Sequence, residues 1–189
     1  KYYERFSQSF GNELVGFFTD EPQYYSQKTP YSKIVYNDFL QRGWDIKKDL
    51  IYLFVDDTDG YSFKMQYYST INRLYNENYY KKLYLWCENH NVKLTGHTVE
   101  ESGIAHQMCC CAGAMPTYKY EQMPCVDWLG KEFPNDLIIR QVSSVASQFG
   151  KKHILGEIFA CCGYDVTLKE LKSVADYFMF GGINKICNH

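Results

Sequence analysis

The stretch GFFTDEP, residues 16–22, is an apolar run that stops at two adjacent acids and a proline. Four further short apolar runs along the chain also end in polar or charged residues. Segments with helical spacing alternate with these runs, and this alternation predicts parallel β-strands joined by helices. The five predicted strands span residues 13–21, 92–98, 123–130, 152–160 and 183–189.

Four helices are predicted from apolar spacing and capping residues. Apolar side chains recur every three or four positions from Met65 to Trp86, which predicts a long amphipathic helix. Residues 167–170, TLKE, have capping-box spacing and predict the start of a second helix. Two further helices are expected, one over residues 32–42 and one that ends at Gly150 as a left-handed cap.

The polar residues at the strand ends favour a barrel over a doubly wound sheet. In a (β/α)8 barrel the carboxyl ends of all strands converge on one mouth, which holds the active site. No Gly-rich phosphate loop follows any predicted strand, so a nucleotide-binding doubly wound fold lacks its usual signature. The residues expected at the mouth are Asp20, Glu21, His97, Glu100, Glu101, Asp127, Trp128, Glu157, Asn188 and His189.

The length of the chain indicates an incomplete barrel. The sequence has 189 residues, whereas a TIM barrel has eight strands and about 250 residues. We therefore expect an α/β fold in which residues 1–189 form one partial catalytic (β/α) barrel domain, corresponding to about strands four to eight. Other domains of a longer chain are expected, since the sequence starts within a helical pattern and without an initiator methionine.

The composition argues against two classes of partner, nucleic acids and membranes. The net charge is -2, with acids and bases mixed along the chain, so there is no basic stripe for nucleic acid and no polybasic patch for a membrane surface. No apolar run approaches the roughly 20 residues that span a bilayer. Aromatic residues make up 17% of the chain, and their rings suit a sugar-binding cleft as well as ordinary interfaces.

The eight cysteines raise the question of a metal site or of disulfides. Three are consecutive at 109–111 and two are adjacent at 161–162, whereas structural zinc sites use cysteines spaced by two to four residues. We expect buried, reduced thiols that act as small apolar side chains. Reduced thiols indicate a reducing compartment, which favours a cytoplasmic location.

Two strand-end glutamates suggest a reaction. Glu21 ends the first predicted strand and Glu157 ends the fourth. Glycoside hydrolysis needs one carboxylic acid to protonate the leaving oxygen and one carboxylate to attack the sugar or activate water. From spacing alone, a structural role stays open for both: Glu21 as a capping or surface acid and Glu157 as a salt-bridge partner.

Four strings carry a resemblance to a known family: GFFTDEP, KLTGHTVEESG, SVASQFGKKHILGEIFACCGYDVTLKEL and GGINKICNH. In this order they resemble the α-L-rhamnosidases of glycoside hydrolase family 106 and related large bacterial barrel glycosidases. The resemblance implies a carbohydrate substrate. It also implies that Glu21 is the general acid at the end of the fourth barrel strand and Glu157 the base or nucleophile at the end of the seventh. Glu101 is a third catalytic candidate, which in an inverting enzyme would hold the water.

Four neighbouring side chains are candidates for substrate binding: Asp20, His97, Trp128 and His189. Histidines can hydrogen-bond a sugar hydroxyl or a catalytic carboxylate, and Trp128 can stack on a sugar ring. A structural role is an equal alternative for His97, His189 and Trp128. The remaining histidines are expected to be structural or peripheral, with His106 in a loop.

No organic cofactor and no metal-binding residue are assigned, but calcium is left open. Residues 56–60, DDTDG, have several oxygen ligands but lack the downstream Glu of a calcium loop, so a helix-capping turn is expected. Two alternatives to a glycosidase remain at this point. One is a non-catalytic carbohydrate-binding barrel, and the other is a metal-dependent barrel enzyme in which Asp20, Glu101 and Glu157 hold a divalent cation.

Overall fold

Five short strands, all parallel, form the centre of the structure, a computed structural model that describes residues 1–24 and 29–189. Each predicted strand is confirmed, with bounds shorter than the apolar runs that predicted them. Each strand pairs with the next one along the chain. The strands are β1 (Gly16–Asp20), β2 (Lys93–His97), β3 (Met123–Trp128), β4 (Leu155–Ile158) and β5 (Lys185–Asn188).

This strand order separates the two candidate architectures. A doubly wound sheet reverses its strand order at a switch point, whereas a barrel adds its strands one after another. The observed order β1-β2-β3-β4-β5, with helices between the strands, is that of a curled sheet from part of an α/β barrel.

Helices cover the outer side of the sheet and fill the connections. The first connection, from β1 to β2, is the longest, and its described residues contain four of them. The helices are α1 (Tyr2–Phe6), α2 (Lys33–Gln41), α3 (Ile46–Asp49), α4 (Tyr61–Tyr75), α5 (Lys81–Asn89), α6 (Ile104–Cys110), α7 (Ala114–Tyr118), α8 (Asp136–Gln148) and α9 (Leu168–Phe180).

The four predicted helices are present, and their caps follow the sequence signals. Ser32 accepts a hydrogen bond from the backbone of α2, and Thr167 with Glu170 forms the predicted capping box of α9. The long helix predicted over 65–86 is α4 and α5, joined by a π-helical turn at Asn76–Tyr80. The prediction of a loop at His106 is wrong, because this residue lies in α6.

Three clusters of buried side chains stabilise these layers. One packs β3 and β4 against α8 and α9, a second joins α2, α3 and α4 through aromatic rings, and a third lies between α5 and β2. The first cluster contains Val126 and Ile158 from the sheet and Val142 and Phe178 from the helices, each at 0% exposure. It fixes the ends of β3 and β4, where two acidic side chains emerge.

The cysteines are only partly as predicted. All eight are thiols, and those at 87, 110, 111, 125 and 162 are buried. The prediction of burial is wrong for Cys109 and Cys161, which are exposed, and for Cys187, which is half-buried. Next to the two exposed cysteines, Cys110 and Cys162 take the buried positions, because adjacent residues point in different directions.

Residues 58–60 form a single 3-10 turn that leads into α4, with Gly60 as the N-cap and no capping hydrogen bond from a described side chain. The side chain of Asp59 lies outside the described part of the chain. Among the helices that the structure describes, none has the length and apolar character needed to cross a bilayer.

Candidate active site

The parallel register brings the strand-end residues to one rim. Asp20 on β1 pairs with His97 on β2, and Asp127 on β3 pairs with Glu157 on β4. Side chains from four consecutive strands therefore meet at the carboxyl edge of the sheet, where active sites of α/β barrels lie.

His97 is at the centre of this group. Its side chain is only 3% exposed, and its Nε2 atom lies 3.4 Å from Asp20 Oδ1 and 3.2 Å from Glu157 Oε2. The Phe18 ring packs against the imidazole edge to face, with centroids 5.6 Å apart. The other ring nitrogen, Nδ1, is buried and has no hydrogen-bonding partner among the described residues. One nitrogen of the imidazole thus contacts two carboxylates, and the second nitrogen has no hydrogen-bonding partner in the described residues.

Glu157 lies between two imidazoles. Its Oε2 atom contacts His97, and its Oε1 atom lies 3.1 Å from Nδ1 of His189. The Glu157 side chain is 16% exposed, whereas His189 is 64% exposed.

The chain after β4 turns through Phe159 and Cys161, which have φ angles of 86° and 59°. Left-handed backbone at two non-glycine residues is unusual, and such conformations cluster at functional sites.

Glu21 leaves the end of β1 with a left-handed backbone, φ 46°. Burial raises the pKa of its carboxyl group, as do the charges of Asp20, Asp127 and Glu100, while His97 lowers it. A glutamate with a raised pKa retains its proton to higher pH, which is the property that a general acid needs.

Asp127 is a site residue that sequence analysis placed at the mouth but did not select. One oxygen each from Glu21 and Asp127 and a ring nitrogen of His97 lie within 4.8 Å of one another. Asp127 Oδ1 is buried without a hydrogen-bonding partner in the described part of the chain. Burial raises the pKa of this carboxyl group, His97 lowers it and Glu157 raises it. Asp127 could have been selected from its place at the end of β3, because it lies opposite Glu157 on the neighbouring strand β4.

Glu101 has a different environment from the other acids. Its side chain is buried, and both of its carboxylate oxygens accept hydrogen bonds from protein groups. Burial raises its pKa to about 7, against the lowering effect of the hydrogen bond from Tyr118.

Trp128 is half-buried at the end of β3, and its indole Nε1–H donates to the Glu132 carbonyl at 2.6 Å. With Glu21 and Asp127 it lines a cavity of about 260 Å³ at the rim. Its ring also packs against the core cluster between β3, β4, α8 and α9. The structure therefore places Trp128 beside the carboxylates, at the boundary of cleft and core.

The structure brings together a different set of possible cation ligands from the one considered above. That set was Asp20, Glu101 and Glu157, whereas Glu21, His97 and Asp127 offer the converging atoms. The carboxylate of Glu101 is already occupied by hydrogen-bond donors. A mixed nitrogen and oxygen set suits zinc, manganese or iron, while calcium prefers oxygen alone.

The fold and this rim define part of an α/β barrel, with a cluster of carboxylates and imidazoles at the carboxyl edge of its sheet. A solved structure with a similar fold is that of a rhamnosidase from Novosphingobium sp. PP1Y, with a TM-score of 0.67 and 18% sequence identity. The similarity covers 93% of this chain and 17% of that chain. This chain thus spans less than a fifth of the relative's length, and at this identity the likeness shows the fold alone. No protein-family model matches the chain, and no curated protein matches it in sequence.

Proposed function

We propose that this chain is part of a glycoside hydrolase that cleaves α-L-rhamnosides or related glycosides, and that its strands correspond to strands four to eight of the barrel. The observation that carries the proposal is that the Glu21 and Glu157 carboxylates lie beside the same buried imidazole, His97. The sugar class rests on the sequence resemblance and on the activity in the name of the structural relative.

In this mechanism Glu21 is the general acid. Its raised pKa extends the pH range over which it carries a proton, and as the acid it transfers that proton to the glycosidic oxygen while the bond from that oxygen to the anomeric carbon breaks. Glu157 then acts on the anomeric carbon in one of two ways. It attacks directly and forms a glycosyl-enzyme ester, which water then hydrolyses with Glu21 as the base, or it takes a proton from the water that attacks the sugar. The two imidazoles beside Glu157 hold its oxygens in place.

The cavity lined by Glu21, Asp127 and Trp128 is small for a complete binding site. Its volume is about 260 Å³, and typical ligand pockets are about 300–1,000 Å³. The proposal therefore includes further protein, outside this chain, that completes the cleft. Asp20, His97, Trp128 and His189 are proposed to contact the sugar or to orient the two carboxylates.

Substitution of each glutamate by glutamine in the natural protein tests the proposal. We expect Glu21→Gln and Glu157→Gln each to lower kcat/KM on a rhamnoside by about 10²- to 10⁴-fold with an unchanged thermal unfolding curve. Glu88→Gln, an exposed position on α5, is the matched control and should keep full activity. Wild-type rates in both site variants would refute the assignment. Binding of rhamnose-containing oligosaccharides with no sugar released by the natural protein would favour a non-catalytic binding barrel.

Two substrates separate the roles of the glutamates. An aryl rhamnoside with a good leaving group needs little proton transfer, so Glu21→Gln should retain more activity on it than on a disaccharide. Glu157→Gln should lose activity on both. An equal loss on both substrates in Glu21→Gln would exclude it as the general acid.

A metal-dependent barrel enzyme is the second candidate, and a specific observation favours it. Glu21, His97 and Asp127 converge, and His97 Nδ1 and Asp127 Oδ1 are buried without a described partner. In that enzyme Glu21 would be a ligand rather than an acid. Loss of activity after a chelator and recovery with Zn²⁺, Mn²⁺ or Fe²⁺ would support this candidate. A natural protein that keeps full activity in excess chelator, with no metal found by elemental analysis, would exclude it.

A further inference from the structure

We infer that Glu101 is a positioning residue for the proposed reaction, which holds the ends of β2 and β3 so that His97 and Asp127 face each other. This role differs from that of a third catalytic carboxylate. The inference rests on the proposed function for its effect on turnover, but its structural part can be measured without any substrate.

The contacts of the Glu101 carboxylate come from three parts of the fold. Oε1 accepts hydrogen bonds from the backbone N–H of Thr98 at 3.2 Å, from the Thr98 hydroxyl at 3.3 Å and from the Tyr118 hydroxyl at 2.5 Å. Oε2 accepts one from the backbone N–H of Asp127 at 3.0 Å. Thr98 follows His97 directly, so a single carboxylate fixes the backbone beside two residues of the candidate site.

The Glu101 backbone is held as firmly as its side chain. Its carbonyl oxygen accepts hydrogen bonds from the side-chain amides of Gln107 at 2.8 Å and Gln141 at 3.1 Å. These two glutamines also bond to each other, at 3.1 Å. Gln107 lies on α6 and Gln141 on α8, so both helices hold the backbone of Glu101.

A carboxylate suits this position better than any other side chain. An ionised carboxylate only accepts hydrogen bonds, and here both of its oxygens accept from protein donors, three at Oε1 and one at Oε2. The residue is 5% exposed. Glu101 therefore acts through the groups that it holds.

The unequal distribution of donors makes the effect of glutamine specific. In Glu101→Gln, the amide carbonyl should face the three donors of the Oε1 side, since this orientation loses the fewest hydrogen bonds. The amide NH₂ then faces the Asp127 N–H, and two donors cannot bond. We expect Asp127 alone to lose its partner, while Thr98 keeps its own.

Tyr118→Phe provides a matched variant with the opposite effect. It removes one donor from the Oε1 side and leaves the aromatic ring in its buried place. The Asp127 N–H should keep its hydrogen bond, and the change should appear at Thr98. If Glu101→Gln does not fold, Tyr118→Phe still tests the arrangement.

Amide NMR of the natural protein and of both variants is the deciding experiment. The expected result is that the Asp127 amide shifts and exchanges faster with solvent in Glu101→Gln but not in Tyr118→Phe, and that the Thr98 amide keeps its exchange rate in both variants and shifts in Tyr118→Phe. An Asp127 amide that is unchanged in Glu101→Gln would overturn the inference. So would a Thr98 amide that is unchanged in Tyr118→Phe.

Turnover gives the second readout. Asp127 lies against Glu21 and His97, with atoms of the three within 4.8 Å of one another, so a shift of Asp127 disturbs the position of the proposed acid. We expect kcat to fall by up to about 100-fold in Glu101→Gln, with KM changed less than about twofold. Loss of turnover in Glu101→Gln with an unchanged Asp127 amide would make Glu101 a direct catalyst and overturn the inference. If the amides respond as expected but the natural protein cleaves no glycoside, the holding contacts are supported and the proposed function fails.

Discussion

The Nε2 atom of His97 lies 3.2 Å from the Oε2 atom of Glu157, although the two residues are 60 positions apart in the chain. This contact joins the end of β2 to the end of β4 across the intervening β3. The strand between them contributes Asp127, whose carboxylate also lies near His97. A side chain from each of three neighbouring strands therefore meets around one imidazole.

Replacement of His97 by glutamine should change the pH dependence of the proposed reaction. His97 lowers the pKa of Glu21, so its removal should raise that pKa further. A general acid is active while protonated, and its activity falls as pH rises through its pKa. We expect the alkaline limb of kcat/KM to move to higher pH in His97→Gln, together with a loss of about 10- to 100-fold at the optimum. An alkaline limb at the same pH in His97→Gln and in the natural protein would show that His97 does not lower the pKa of the general acid.

Gly96 is the position where β1 approaches β2 most closely beside the site. Its φ is 154°, and a Cβ there would lie 2.2 Å from the carbonyl oxygen of Thr19. Gly96→Ala should therefore push β1 away from β2 and lower the free energy of unfolding by about 1–3 kcal/mol. Urea unfolding measures this change.

Gly103→Ala is the control for this substitution. Gly103 has an extended backbone, φ -145°, and the nearest atom to an added Cβ is the exposed His106 ring at 3.3 Å. Gly103 is the N-cap of α6, where alanine is less favourable than glycine, so the unfolding midpoint should fall slightly and by less than in Gly96→Ala. Equal midpoints for Gly96→Ala and the natural chain would contradict the tight approach of the strands.

The strands and most long helices could be predicted because their signals are local. Apolar runs with polar ends predict β1 to β5, and spacing with capping residues predicts α2, α8 and α9. The short helices α6 and α7 were not predicted. These two helices contain the cysteine run and small residues. The burial of Ala114 and Tyr118 against the rest of the fold stabilises α7.

The site was predictable in its members but not in its contacts. Strand ends in a barrel share one rim, so the sequence predicted that Glu21, His97 and Glu157 would lie together there. It could not predict which of the carboxylate oxygens accept hydrogen bonds from other parts of the protein. The Glu101 carboxylate is occupied by Tyr118, 17 residues further on, and by the Asp127 amide, 26 residues further on. Such pairings depend on the tertiary packing of α7 and β3.

Glu121 should make the stability of the protein fall as pH rises. The side chain is fully buried, and burial raises its pKa well above the ordinary value, although the Cys125 amide and Lys151 lower it. Neither carboxylate oxygen has a hydrogen-bonding partner of normal geometry in the described part of the chain. The folded state thus keeps a proton that the unfolded state releases above about pH 4.5.

Glu121→Gln isolates this contribution. From pH 5 to 8, the free energy of unfolding of the natural chain should fall by up to about 1.4 kcal/mol per pH unit for this group. The glutamine variant has no charge to bury, so its curve should be flatter and should lie higher at pH 8. Glu101, whose pKa is also raised, stays in both proteins and contributes the slope that remains. If the free energy of unfolding falls with pH at the same slope in both proteins, Glu121 is not the source of this pH dependence.

The capping box of α9 gives a prediction that is independent of the site. Thr167 Oγ1 accepts a hydrogen bond from the Glu170 backbone at 3.2 Å, and Glu170 Oε2 accepts from the Thr167 backbone and hydroxyl at 2.8 and 2.7 Å. These hydrogen bonds hold the pKa of Glu170 at about 2. In Thr167→Ala that pKa should rise only in part, because the backbone donor stays, and Tm should fall by about 2–4 °C. Ser173→Ala, an exposed position on the same helix, should leave both values unchanged. A carboxyl NMR titration with Glu170 at the same pKa in Thr167→Ala would show that the hydroxyl contributes nothing to the cap.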